Sequence, residues 1–212
     1  MKGTFLVLRR VRGGDVDLVA TLYGTAGKVS LFLREGYLNE KKLFGVFEPF
    51  NLVKIDYYQS SGLIIPRDVL EVKRFSYFAK DVKRYFLMSY ISQTVLRHIN
   101  FYDEELFSLI LRFFLKETKN PEASYFKFFL NLLKTLGYEP LFLRERVRGR
   151  YAFLDLEKGS LSSSGVKVRS SLLNLLKKIH QLEEYERIKI KRKDFEEGRE
   201  ILEKFLSFHL NR

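Results

Sequence analysis

The 212-residue chain carries 38 Lys and Arg against 26 Asp and Glu, a formal charge of +12, with 46% hydrophobic residues. That balance belongs to a folded chain with a polyanionic partner, either nucleic acid or an anionic membrane surface. The absence of cysteine excludes disulfides, thiol catalysis, thiolate zinc and iron–sulfur clusters. No apolar run is long enough to span a bilayer, and the opening MKGTFLVLRR becomes charged too soon for a signal peptide. A cytoplasmic protein is therefore expected.

The first seventy-odd residues predict strands. Thr4 to Val11 is an apolar run closed by Arg9 and Arg10, and Arg12-Gly13-Gly14-Asp15 reads as a hairpin turn. Val16, Leu18, Ala20 and Leu22 then alternate with polar neighbours, and Gly24 to Gly27 marks a second turn. From Lys28 to Arg34, Val29, Leu31 and Leu33 take one face and Lys28, Ser30, Phe32 and Arg34 the other. A polar, basic connection runs from Glu35 to Lys42. Val53, Ile55 and Tyr57 define a fourth strand, and Ser60-Ser61-Gly62 turns the chain into a fifth, Leu63 to Val72. Pro66 inside the fifth predicts an edge or a bulge there, because proline cannot donate to a ladder. Five short strands with wet edges favour closure into a small barrel. At this length the most economical barrel is an OB-fold, although other small barrels fit the same pattern.

After Phe75 the period becomes helical. A first helix is predicted over 76–99, and a second from Asp103-Glu104-Glu105 to about Glu117. A third opens at Pro121 and stops at Gly137. Residues 138–165 are less regular, with a hairpin around Tyr151 to Leu161 and a serine-rich loop after it. A fourth helix is predicted over 167–181. A last one opens with Asp194 and Glu197 as a capping box and runs to about Leu210. The fold class is thus α+β, with a barrel module over 1–75 and a helical module over 76–212 that carries an irregular basic insertion at 138–165. Basic residues exceed acidic ones in both parts, 13 to 8 over 1–80 and 25 to 18 over 81–212.

Chemistry is sparse. His98, His180 and His209 lie far apart, and none has a second ligand at helical metal spacing. No phosphate-binding or nucleophile-elbow motif occurs, and Gly24-Thr25-Ala26-Gly27-Lys28 reads as a turn. Asp15 and Asp17 could pair on a metal, but two acids alternating on one strand more often form its solvated side. Neither an enzyme nor a cofactor is expected.

The basic residues carry more information because of their phase. Arg144, Arg146, Arg148 and Arg150 recur every second residue, as do Arg187, Lys189, Lys191 and Lys193. On an extended backbone each set projects from one face as a single row of cations. Such a row matches a phosphate backbone and releases its condensed counterions. It is equally the pattern of a solvated strand whose charges discourage aggregation. The barrel module adds Arg9, Arg10, Arg12, Lys28, Arg34, Lys41 and Lys42. Phe32, in phase with Lys28 and Arg34, would complete a stacking platform for single-stranded bases, or would pack beneath other elements. The Phe- and Leu-rich helices could also leave a lysine-rimmed groove for an apolar, acidic peptide.

Taken in order, Val7-Leu8-Arg9-Arg10, Gly14-Asp15-Val16-Asp17-Leu18, Gly27-Lys28 and Glu48-Pro49-Phe50-Asn51-Leu52 resemble the opening of the bacterial recombination-repair protein family RecO. Leu136-Gly137-Tyr138 and Phe205-Leu206-Ser207-Phe208-His209-Leu210 fall where that family has similar short signatures. The resemblance implies an N-terminal OB-fold, a helical domain and a non-catalytic mediator of DNA repair. It implies binding of single- and double-stranded DNA and annealing of complementary strands. It further implies loading of the strand-exchange recombinase onto DNA coated by single-strand-binding protein. The partners it implies are RecR and the acidic C-terminal tail of single-strand-binding protein, and the location is the bacterial nucleoid. The nucleic-acid contacts expected on this reading are Arg9, Arg10, Lys28, Phe32, Arg34, Lys41, Lys42, Arg144, Arg146, Arg148, Arg150, Lys189, Lys191 and Lys193.

Two departures stand out. Many relatives carry a four-cysteine zinc module after the Leu-Gly-Tyr signature, whereas this chain has no cysteine and places 141–165 there. The family's basic stretch after the third strand is diluted here by Glu35 and Glu40. An RNA-binding barrel module and a protein-interaction adaptor whose charge serves solubility remain alternatives.

Overall fold

The computed structural model describes residues 1–36, 45–75 and 81–210. The chain forms two compact units, Met1–Phe107 and Ser108–Arg212. The boundary expected after residue 75 adjoins 76–80, which lie outside the described residues.

In the first unit five strands close into a barrel: β1 (Lys2–Gly13), β2 (Asp17–Gly24), β3 (Gly27–Leu33), β4 (Leu52–Ser60) and β5 (Leu63–Lys73). The strand order β1-β2-β3-β5-β4, with β1 pairing back onto β4, is that of an OB-fold. Only the β3–β5 pairing is parallel, and it involves the first residues of β5. Beyond them β5 pairs with β4, and its register slips between the Asp56–Asp68 and Tyr57–Pro66 pairs. The irregularity expected from Pro66 is therefore found beside it.

Alternation sets the barrel interior. Phe5, Val7, Ala20, Leu22, Leu31, Val53 and Ile55 point inward, and Val46 and Phe47 of the turn before β4 join them. β1 reads as an unbroken apolar run because Leu6 and Leu8 are also buried on its other face, where helix α1 (Val82–His98) packs against β1. Its register slips between Val7 and Arg9, so Leu8 is the extra residue of a bulge. The bulge places Arg9 opposite Thr21 and Arg10 opposite the core residue Ala20.

The β2–β3 turn is very tight. A methyl group on Gly24 would lie 2.0 Å from the Thr4 carbonyl oxygen, a backbone atom that cannot swing aside. The Thr25 amide donates to the same carbonyl at 3.1 Å.

Helix α2 (Glu104–Leu115) begins in the first unit and continues into the second. Its N-cap is Asp103, whose Oδ1 accepts from the Leu106 amide at 2.7 Å. Helix α3 (Pro121–Thr135) is capped by Asn120 and closed by Gly137 at φ +80°, where the Tyr138 amide donates back to the Leu133 carbonyl. Phe126, Phe128, Phe129 and Leu133 of α3 are fully buried in the second unit.

The segment after α3 departs from expectation. Strands β6 (Tyr151–Asp155) and β7 (Ser160–Ser162) form the expected hairpin, with Leu154 opposite Leu161. A third strand, β8 (Val166–Arg169), pairs with the other edge of β6. The fourth helix therefore starts later than expected, as α4 (Ser170–Gln181). The last, α5 (Arg192–Leu210), begins two residues before Asp194, so Asp194 lies in its first turn and is not its cap.

Gly24→Ala is expected to destabilise the fold by about 3 kcal/mol through overpacking against backbone. Gly14→Ala, at φ +63° with open space around it, should lose only about 1–2 kcal/mol of left-handed strain. Urea denaturation of both variants gives the comparison, and equal losses would contradict the close approach at Gly24.

Candidate nucleic-acid interface

On the barrel, strand register sorts the expected contacts by face. Arg9, Thr21 and Ser30 lie abreast on the outer face of β1–β2–β3, and Val11, Val19 and Phe32 form the next row. Arg9 is exposed and Phe32 half-buried, so this face combines a cation with an aromatic edge. Arg10 belongs to the inner side of its strand, and its guanidinium meets the Glu48 carboxylate at 2.7 Å. Lys28 donates from Nζ to the Leu96 carbonyl at 2.6 Å. That carbonyl is in the last turn of α1, where an ammonium suits the helix dipole, and burial pushes the Lys28 pKa below its ordinary value. Arg34 is exposed in the turn after β3. Asp17 is occupied there: its Oδ1 accepts from the Glu35 amide at 2.8 Å. Lys41 and Lys42 lie outside the described residues.

In the second unit the expected arginine row is real in exposure but not in backbone. Arg144, Arg146, Arg148 and Arg150 are all exposed, while Glu145 and Val147 between them are half-buried. No strand carries them. Arg144 closes the 3₁₀ turn Leu141–Leu143 and pairs with Glu139, and Gly149 bends the chain at φ +76°. What fixes the segment is a set of crosslinks to its backbone. The Ser170 amide donates to the Arg150 carbonyl at 3.1 Å, and Ser170 Oγ donates to the Arg148 carbonyl at 3.3 Å. Lys177 Nζ donates to the Glu145 carbonyl at 2.9 Å, and the Glu145 carboxylate accepts from the Leu161 amide at 2.6 Å. The backbone is held while the arginine heads stay in water.

The second basic run behaves likewise as far as Lys191. Arg187, Lys189 and Lys191 are exposed, and Ile188 and Ile190 between them are half-buried. Arg187 is paired with Glu184 at 2.9 Å. Asn120 Nδ2 donates to the Glu186 and Ile188 carbonyls at 3.2 and 2.7 Å, fastening the run to the start of α3. Lys193 departs from the row because it sits in the first turn of α5, where the period is no longer two.

Sequence reasoning missed Arg169. Its guanidinium reaches Asp194 at 2.7 Å and Glu197 at 2.8 Å, so the supposed capping box is a carboxylate clamp on the end of β8. Both acids hold the Arg169 pKa above its ordinary value. The spacing of three residues that suits a capping box also places two acids on one helix face. Missed too were Tyr151 and Phe153, which stand exposed on one face of β6 at 42% and 38%.

The histidines occupy helix ends, as expected. His98 ends α1, and His209, in the last turn of α5, stacks on Tyr138 with ring centroids 4.5 Å apart. His180, near the end of α4, lies 3.5 Å from Glu139, and burial pushes its pKa below the ordinary value. Among the described residues no three His, Asp or Glu side chains converge as a metal set, and no helix is long and apolar enough to cross a membrane. A four-thiolate zinc site does not fit this chain, which has no cysteine to supply it.

The fold and these surfaces define an OB-barrel protein with a helical domain whose basic side chains face water. Residues 79–212 match the family model described as Recombination protein O C terminal. Over 234 aligned positions the chain is 26% identical to the DNA repair protein RecO of Caldanaerobacter subterraneus subsp. tengcongensis, covering 99% of this chain and 93% of that protein. The chain belongs to the RecO family, and its role lies in DNA repair and recombination.

Arg169→Met would leave two carboxylates of α5 facing each other without their cation. The guanidinium is 27% exposed, which tempers the loss to about 1–2 kcal/mol. Lys204→Met, which removes an exposed partner of Glu200 on the same helix, should leave the denaturation midpoint unchanged. A midpoint for Arg169→Met equal to wild type would show that the clamp contributes nothing.

Proposed function

We propose that the protein is a non-catalytic recombination mediator that binds single- and double-stranded DNA through phosphate contacts and anneals complementary strands. On this reading it assists recombinase loading onto DNA coated by single-strand-binding protein, together with RecR and the acidic tail of single-strand-binding protein. The observation that carries the reading is the pinned 144–150 backbone with its arginine heads in water. Membership in the RecO family supports the same direction.

Annealing has two physical requirements. Two polyanions must be brought together, so their charge has to be neutralised. The bases must remain free to pair, so contacts to base edges must be weak. Exposed arginines and lysines on a fixed backbone meet the first requirement without imposing sequence readout. Neither requirement involves bond making or breaking, so no catalytic constellation is needed. Arg146, Arg148, Lys189 and Lys191 are the leading phosphate contacts, with Arg9, Arg34, Arg150 and Lys193 beside them. Lys41 and Lys42 belong to the same proposal by charge alone. Arg10, Lys28, Arg144 and Arg187 contribute less, because each is already held by a carboxylate or a helix end.

If about four phosphates are engaged, the logarithm of single-strand affinity falls with the logarithm of salt concentration at a slope near −3. Replacing Arg146, Arg148 and Arg150 together by Ala should flatten that slope by about 2 and slow the annealing of complementary oligonucleotides precoated with single-strand-binding protein. An affinity indifferent to salt, or a triple variant with wild-type slope and annealing rate, would remove the mechanism.

A further inference from the structure

Strands β6, β7 and β8 form a sheet with one buried and one exposed face. Leu154 and Val168 are buried on the inner face. Tyr151 and Phe153 are exposed on the outer face, two residues apart on the central strand. Register places Lys167 and Ser162 on either side of Phe153. Lys167 Nζ lies 4.5 Å from the centroid of the Tyr151 ring, and the Arg150 guanidinium carbon lies 5.6 Å from it. Arg169, opposite Tyr151, is held by Asp194 and Glu197 and is not counted among the available cations.

We propose that this face is a stacking platform for the bases of single-stranded DNA, with Tyr151 and Phe153 taking successive bases and Lys167, Arg148 and Arg150 taking the phosphates between them. The proposal rests on the DNA-binding reading above and adds a second, base-contacting site outside the barrel.

Three considerations favour this occupant. Two exposed aromatics on a short sheet expose apolar area with no core to enter, and such area marks a binding surface. Side chains at alternate strand positions lie about 7 Å apart on one face. Sheets that bind single-stranded RNA present their base-stacking aromatics in this manner. The cations around the rings select a polyanion, and a ring already bordered by an ammonium and a guanidinium gains further when a base stacks on it and the cations move to flanking phosphates. Base–aromatic stacking tolerates any sequence, which suits a protein that must release its strand to a complement.

The test uses the full chain and two probes with equal numbers of phosphates, a thymidine oligonucleotide and an abasic one. Wild type is expected to bind the thymidine probe more tightly. The double variant Tyr151→Ser/Phe153→Ser should lose at least roughly 5-fold per ring on thymidine. It should lose nothing on the abasic probe and keep the wild-type salt slope. Tyr151→Trp/Phe153→Trp should restore thymidine binding, since tryptophan also stacks. The platform is refuted if wild type binds both probes equally, if the serine variant binds thymidine like wild type, or if it loses both probes alike. A wild-type chain that binds neither probe would refute the DNA-binding reading itself.

Discussion

The junction of Arg169 and Ser170 holds the second unit's functional surface in place. Arg169 ends β8 and fixes the first turn of α5 through Asp194 and Glu197. Ser170 opens α4, and its amide and hydroxyl both hold the arginine segment by its carbonyls. Two adjacent residues thus connect a sheet, two helices and the 144–150 loop. A loop of four arginines would otherwise repel itself and sample many conformations, and its binding entropy would rise accordingly. Anchoring the backbone removes most of that cost while leaving the guanidinium groups their own rotamers. That combination suits a ligand whose phosphates are regular but whose bases vary.

The barrel unit solves a different problem by the same device. Its excess cations must remain outside a core built from Phe5, Val7, Leu22 and Leu31. The bulge at Leu8 achieves this by shifting the phase of β1. Residues before it alternate into the core and under α1, whereas Arg9 emerges on the outer face. Arg10 is brought over the barrel end, where Glu48 receives it. Lys28 is likewise absorbed by the end of α1. Cations that the fold cannot leave in water are matched with a carboxylate or a carbonyl, and the exposed remainder carries the charge available to a polyanion.

How much of this was legible in the sequence depends on the length scale of each signal. The barrel was readable because alternation persists over several residues in β2, β3 and β4, and because Pro66 marks its own irregularity. The helices were readable from Asp103, Pro121 and Gly137. β8 was hidden: four residues, Val166-Lys167-Val168-Arg169, run directly into a helix and provide too short a stretch to establish a period. The Asp194–Glu197 spacing was ambiguous in principle, since a cap and a clamp require the same separation, and the distant Arg169 decides between them. The arginine phase predicted exposure correctly because half-buried Glu145 and Val147 alternate with it. It did not predict the backbone, which bends at Gly149 and turns at Leu141–Leu143. Alternation in a sequence reports which side chains face water, and a pinned loop can satisfy it as well as a strand.

That distinction matters for the chemistry a mediator performs. A true basic strand presents charges at one fixed spacing and would favour a polyanion of matching pitch. A crosslinked loop fixes only the roots of its arginines, so the heads can follow phosphates whose spacing changes as a single strand becomes a duplex. Annealing demands that tolerance, because the same surface must hold the strand before pairing and the helix after it. A surface tuned to either form alone would oppose the conversion, and binding both with comparable strength leaves the free energy of base pairing to drive the reaction.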